Sequence, residues 1–296
     1  MKQCCFLGFL VLLFPVILVA ADAKKGYSLA DFMRITKQEG KKTPTSYDTA
    51  VAQFAGENNI EVHLIGAVHI GDKEYYAELN KLFEKYDTVL YELVAEKDTK
   101  PTDKSGKGDE KSFLSSFQSG MGSALALDFQ LDHIDYHAKN MVHADLNPSE
   151  FVRRASDRGD LVQMFYRAMV LGAKKSGGEA QNAELKMQGR LLGSFLATDP
   201  ALALKRVLAE EMMNQIDDGI WVIGGDGSAI ITDRNTAALK VLRQEIKKGK
   251  EKIAIFYGVA HLPEFAKSLE KDFRMKLTGT DWIIAWDLTK DQSARR

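Results

Sequence analysis

Two short motifs carry the most chemical information in this chain. Gly66-Ala67-Val68-His69 and Gly258-Val259-Ala260-His261 each follow an apolar run with the look of a buried strand, and each precedes an amphipathic stretch of helical period. An acidic residue lies downstream in both cases, Glu92 after the first motif and Asp287 after the second. A strand, a helix and a second strand in succession form a crossover unit, which joins parallel strands. In a parallel sheet, ligands collect beyond the carboxyl ends of the strands. That rim is where His69 and His261 fall, and Glu92 ends the strand after the first helix. Two imidazoles and a carboxylate on one rim suit a divalent cation and leave positions open for water. The alternative reading is that each His caps a helix or satisfies a polar contact in the core. Glycine before each His is expected to let the chain turn tightly where its strand stops.

The elements that position these groups follow from periodicity and turn chemistry. Ser28 to Glu39 reads as a short helix, through Leu29, Phe32, Met33 and Ile35. Tyr47 to Phe54 and Ile60 to Ile65 read as a hairpin across Gly56-Glu57-Asn58-Asn59. Lys73 to Tyr86 is an amphipathic helix and Asp87 to Val94 a buried strand. Residues 96–112 contain no aromatic or aliphatic side chain of any size and read as a mobile loop. Leu114 to Gln130 reads as helical. Asn140 to Leu146 is a short strand that turns at Asn147-Pro148 into a helix. Leu161 to Leu171, Leu185 to Leu196 and Ala201 to Ile216 add helices, so that about 150–216 reads as a helical insertion covering the sheet. Gly224 to Ser228 is a plain turn, lacking the Lys-Ser/Thr ending of a phosphate loop. Asn235 to Lys248 and Pro263 to Phe273 are helices; Ile253 to Tyr257 and Trp282 to Leu288 are strands. The whole predicts an α/β fold with a central, mixed, largely parallel sheet flanked by helices.

Composition narrows the function. With 40 Lys+Arg against 41 Asp+Glu the formal charge is −1, which argues against a nucleic-acid binder, since phosphate affinity needs a cationic excess. The N-terminus has the build of an export signal: Lys2, an uncharged run from Phe6 to Ala21, and small residues with an A-x-A pattern at Ala21 and Ala23. The run is shorter than the ~20 residues of a spanning helix. The expected organisation is therefore a signal peptide over 1–23 and one domain over 24–296, exported to the periplasm or secreted, with no stable membrane anchor after cleavage. The two cysteines, Cys4 and Cys5, would leave with the signal. The mature chain would then have neither a disulfide nor a thiolate nucleophile. No G-x-S-x-G is present, so serine chemistry is not expected.

The chain resembles the Tiki/TraB/PrgY (GumN-like) superfamily. The residues that carry the resemblance are the two Gly-x-x-His motifs, Tyr91-Glu92-Leu93, Asp233-Arg234-Asn235, the segment Phe129 to Tyr136, and Val142-His143-Ala144-Asp145-Leu146. It extends from about Ile60 to Leu288. The resemblance implies an α/β fold similar to erythromycin-esterase and ChaN-like proteins. It also implies divalent-metal-dependent proteolysis through the two motif histidines and a glutamate, here His69, His261 and Glu92. Arg234 matches the arginine of the family's Glu-Arg-Asn pattern, with Asp233 in place of Glu. The second motif departs from the family in continuing Leu262-Pro263 where a glycine is common.

The expected function is metal-assisted hydrolysis of a peptide or related amide or ester. His69 and His261 would bind Mn, Co or Zn, and Glu92 would complete the ligand set or act as general base. Arg234 would orient Glu92 or stabilise an oxyanion, or else pair with Asp233 at the surface. His143 and Asp145 alternate with Val142 and Ala144, so they are expected to share a strand face as supporting or substrate-contacting residues, or simply to close the strand. His133 and His137 read as a surface pair, His63 as facing away from Val62 and Leu64, and Asp72 as a helix cap. The competing function is an exported protein that binds a peptide, haem or metal without turnover.

Overall fold

A computed structural model describes residues 26–38, 40, 43–97, 100, 125, 127–159, 178–217 and 228–289, with the side chains of 178–185 and 215–217 left aside. Both expected cleavage positions, Ala21 and Ala23, lie outside these residues. So do most of the 96–112 loop, the helix expected over Leu161 to Leu171, nearly all of the one over Leu114 to Gln130, and most of the turn at Gly224 to Ser228.

Seven strands form one mixed sheet. They are β1 (Met33–Lys37), β2 (Pro44–Ala55), β3 (Glu61–Ala67), β5 (Thr88–Tyr91), β7 (Met141–His143), β8 (Lys252–Gly258) and β9 (Lys276–Asp287). The order is β1-β2-β3-β8-β5-β7, with β9 along the other edge of β2. Only β2 runs against the rest: β1, β3 and β9 pair with it antiparallel, and β3, β8, β5 and β7 pair in parallel. A separate two-stranded ribbon joins β4 (Ile70–Gly71) to β6 (Asp128–Phe129).

Alternation along the strands feeds two cores. Val51, Ile65, Val89, Ala254 and Phe256 face one side, where α1 (Lys73–Phe83) packs through Tyr75, Tyr76, Leu79 and Phe83. Val62, Leu64, Leu90, Ile253 and Ile255 face the other. There α6 (Arg234–Lys247) and α7 (Leu262–Asp272) pack. On α7 the buried Leu262, Phe265, Ala266 and Leu269 recur at helical spacing. Each large apolar side chain so buried contributes about 1.5–3 kcal/mol.

The connections set where the strand ends that carry the motifs lie. From β3 the chain crosses over α1 to β5, moving past β8 in one direction on the first face. From β8 it crosses over α7 to β9, moving past β3 and β2 in the opposite direction on the second face. Reversing both direction and face keeps the hand of the crossovers the same. The neighbouring strands β3 and β8 therefore send their chains to opposite faces, and their carboxyl ends flank the switch point at which α/β sheets bind ligands. These are the two strands that end in the Gly-x-x-His motifs.

Several sequence expectations are corrected. Ser28 to Glu39 is not a helix. After a single 3-10 turn (Leu29–Asp31) it becomes the edge strand β1, with Phe32 and Met33 buried in different cores. The last strand starts at Lys276, earlier than Trp282, because as an outer strand it carries polar residues on its exposed positions. Asp128–Phe129 is strand rather than helix end. Around 150–216 the described residues form three helices. The helix α3 (Pro148–Arg158) packs beside the turn before α6, while α4 (Gly178–Phe195) lies on α5 (Pro200–Asp217), and α5 lies on β1 and β2. Among the described residues no helix is long and apolar enough to cross a membrane.

Candidate active site

The parallel register levels the three strand ends. Ala67 pairs with Gly258, and Tyr91 pairs with Phe256, so that Glu92 leaves β5 alongside the last turns of β3 and β8. The Glu92 amide continues the ladder, donating to the Phe256 carbonyl at 3.3 Å. Its side chain then turns over the end of β8. The Gly258 amide donates to Oε2 at 2.5 Å, and Arg234 Nη2 donates to Oε1 at 2.7 Å.

Glycine at 258 is needed for space rather than for a turn. Its φ of −47° and ψ of 134° are open to any residue, but a Cβ there would stand 3.1 Å from Glu92 Oε2. Gly66 is similar: it is not among the positive-φ glycines, and a Cβ would meet the Cβ of Thr49 at 3.3 Å.

Arg234 reaches Glu92 because of an irregular turn. Residues Ala229–Asp233 form a π turn, closed by the Asp233 amide on the Ser228 carbonyl, with the Ser228 hydroxyl accepting from the Ile231 amide. One extra residue per turn changes the facing of the residues after it, which is why such turns gather at functional sites. Asp233 is directed to α3, where Arg158 grips it with two hydrogen bonds of 2.8 and 2.9 Å. Arg234 is directed inward. Its Nε and Nη2 hold Asp145, whose side chain is fully buried, and Nη2 also holds Glu92. The surface pairing of Arg234 with Asp233 does not form. One guanidinium thus faces two carboxylates, which leaves an excess negative charge.

His261 occupies the N-cap position of α7, buried between the rings of Tyr257 and Phe265. Asn235 fixes its tautomer. The Asn235 Nδ2 donates to the His261 carbonyl at 3.3 Å, which orients the amide so that Oδ1 accepts from His261 Nδ1 at 2.6 Å. The proton then sits on Nδ1 and the lone pair on Nε2. That Nε2 stands 3.7 Å from Glu92 Oε1.

The electrostatics are consistent with this picture. Burial alone would raise the Glu92 carboxyl, but His261, Arg234 and the Gly258 amide outweigh it and bring it down to about 2. Burial pulls the His261 imidazole down to about 4, against the attraction of Glu92. Arg234 is held as a cation by its hydrogen bonds to Asp145 and by Glu92, against the opposing effect of burial.

The first motif is built differently. His69 lies in an exposed bend and its carbonyl accepts from the Gln130 amide at 3.0 Å. Two tyrosines of α1 brace the motif from below: Tyr75 donates to the Gly66 carbonyl at 2.6 Å and Tyr76 to the Val68 carbonyl at 3.1 Å. His69 follows the last residue of β3 by two positions, at the same end of the sheet as Glu92 and His261. Among the described residues, no group of three or more His, Asp and Glu side chains is drawn together closely enough to hold a metal ion.

The remaining expected residues separate. Strand β7 stops at His143, so alternation does not carry on to Asp145. His143 Nε2 lies 2.6 Å from the Leu93 carbonyl while Asp145 turns to Arg234. Asp287 has no counterpart role to Glu92; its carboxylate accepts from Thr289. Asp72 stands at the N-cap of α1 but makes no side-chain capping bond. Instead it accepts from the fully buried Lys205 at 2.8 Å and from the Asp287 amide at 2.6 Å. His133 closes a four-residue helix, α2 (Gln130–His133), and pairs with Asp128 rather than with His137. His63 faces away from Val62 and Leu64, as expected. Asn235, Tyr76 and Lys205 take roles that sequence reasoning missed; only Asn235 had a signal, its place after Asp233-Arg234.

The donor set suits a borderline divalent ion. Two atoms each ~2.0–2.2 Å from one ion can lie up to about 4.2 Å apart, so the 3.7 Å between His261 Nε2 and Glu92 Oε1 accommodates one. A neutral imidazole whose far nitrogen donates to an amide oxygen is also how metal-binding histidines are held. Compared with known protein families, with curated proteins and with solved structures, the chain matches none.

Proposed function

We propose that this chain is an exported, divalent-metal-dependent hydrolase of peptide or related amide bonds, and a member of the Tiki/TraB/PrgY superfamily with its erythromycin-esterase/ChaN-like fold. The observation that carries the proposal is the lone pair of His261 Nε2, fixed by Asn235 and facing an ionised Glu92 at 3.7 Å. His261 and Glu92 would hold the ion, with His69 closing in from its exposed bend. Bound there, Mn, Co or Zn would supply a Lewis acid for the scissile carbonyl.

The chain's own groups have separable tasks. Arg234 positions Glu92, and with Asp145 also on its guanidinium it is committed to that work rather than to an oxyanion. A carboxyl brought down to about 2 is a weak base at neutral pH. Glu92 is therefore better suited to holding charge than to taking a proton. The same weak basicity favours the second reading, a non-catalytic protein that captures metal, haem or peptide on this rim.

The test is a peptide-library digest with protein loaded with Mn, Co or Zn, beside His69→Ala and His261→Ala. Metal-dependent cleavage abolished in both variants supports the hydrolase. Saturable binding without cleavage supports capture, and cleavage untouched by either variant removes the site assignment.

A further inference from the structure

A recess lies at the end of the sheet opposite the motifs, by the amino ends of β3 and β8. It is a cleft of about 280 Å³ between the last turn of α1 and strands β2, β3, β8 and β9. Helix α1 ends at Phe83. Beyond it the strands carry polar residues: Gln53 pairs with His63, and Glu61 pairs with Lys252.

These groups face one another. His63 is buried, with Nδ1 2.8 Å from the Tyr86 hydroxyl. Its Nε2 and the Lys252 ammonium each stand 3.8 Å from Glu61 Oε2. Both distances exceed a hydrogen bond, so the Glu61 carboxylate oxygen stands between the imidazole and the ammonium without a hydrogen bond to either. Across the cleft Gln53 Nε2 donates to Asp281 Oδ2 at 2.7 Å. The exposed Lys85 lines the same space. Burial, and then Lys252, keep His63 neutral.

Two carboxylates and two ammonium groups therefore cancel. A metal site would concentrate carboxylates, and a phosphate site would concentrate cations. Balanced opposite charges in one small recess complement a molecule that carries both signs, and the volume admits one about the size of a free amino acid or dipeptide. We propose that this cleft binds a small amphoteric molecule of the α-amino acid or dipeptide class, its ammonium received by Glu61 and Asp281 and its carboxylate by Lys85 and Lys252. The site is independent of the metal rim, which lies at the opposite strand ends.

The test is saturation-transfer NMR followed by calorimetry on the purified protein. The probes are free L-amino acids and dipeptides beside their N-acetylated and C-amidated forms. At least one free probe should bind saturably and weaken at least tenfold on either capping. Asp281→Asn and the surface variant Lys85→Met should each weaken it at least tenfold, with His261→Gln leaving it unchanged. Absence of saturable binding, equal binding of capped probes, indifference to both cleft variants, or loss with His261→Gln would each overturn the proposal.

Discussion

Gly258→Ala isolates the placement of Glu92 from the stability of the fold. The new Cβ would stand 3.1 Å from Glu92 Oε2, and even a favourable C–H···O contact needs about 3.3–3.6 Å. The carboxylate must therefore retreat by roughly 0.2–0.5 Å. The Gly258 amide bond, now 2.5 Å, lengthens to roughly 2.7–3.0 Å, an ordinary hydrogen-bond length, while the 3.7 Å spacing to His261 is disturbed. At that length the hydrogen bond to the charged carboxylate is kept. Alanine is compatible with this backbone conformation and stabilises by about 0.4–1 kcal/mol through the unfolded chain. The variant should therefore unfold within about 1 kcal/mol of the parent. Its affinity for Zn or Mn should nevertheless fall about 10–100-fold, the usual cost of disturbing a ligand's support. Denaturant melts and calorimetry measure the two quantities on one sample. A folded Gly258→Ala protein with parental metal affinity would refute the placement of Glu92 in the metal site.

Other perturbations give separate expectations. Asn235→Ala frees the His261 tautomer and should cost about 10–100-fold in metal affinity, measured by calorimetry; no change would mean that the amide does not orient the ring. Lys205→Met leaves Asp72 buried without its cation and should cost about 3–5 kcal/mol in denaturant melts. Adding Asp72→Asn to it should recover part of that loss, and strict additivity would show that the two are not coupled. The His261 imidazole lies near 4 in the fold against 6.5 unfolded, so the folded state binds fewer protons in that window and stability falls as pH drops through it. The loss is roughly 3 kcal/mol between pH 6.5 and 4. Glu92, down at about 2 from 4.5, adds a loss with the same sign below pH 4.5. Melts across pH should show a shallower decline in His261→Gln, and parallel curves would contradict the assignment.

The parts of the fold legible in the sequence are those buried on both faces. Strands β3 and β8 are near-continuous apolar runs, so their ends, and with them both motifs, could be located. Helices α1 and α7 show their inner faces as spaced apolar residues. The first strand resists such a reading because Phe32 and Met33 serve opposite cores from adjacent positions, which imitates a helical stripe once Leu29 and Ile35 are added. Of the site, the identities of His69, His261, Glu92 and Arg234 were visible, but the reason for glycine was not. A Cβ clash with a carboxylate 166 residues earlier leaves no local trace. The same holds for Asp145, whose facing is set by where β7 stops, and for Lys205, whose partner Asp72 lies 133 residues earlier in the chain. Long-range polar partners are chosen by topology, and periodicity carries no record of them.

In the proposed function, His69, His261 and Glu92 together bind one divalent ion at the switch point. Titration of metal-free protein with Co, followed by its visible absorption and by calorimetry, tests it most directly. One equivalent should bind, with nitrogen-ligand character in the spectrum, and binding should be lost in His261→Gln and in Glu92→Gln. Binding should weaken in His69→Ala. A protein that stays folded and takes up no Co, or whose Co spectrum and stoichiometry are the same in all three variants, would contradict it.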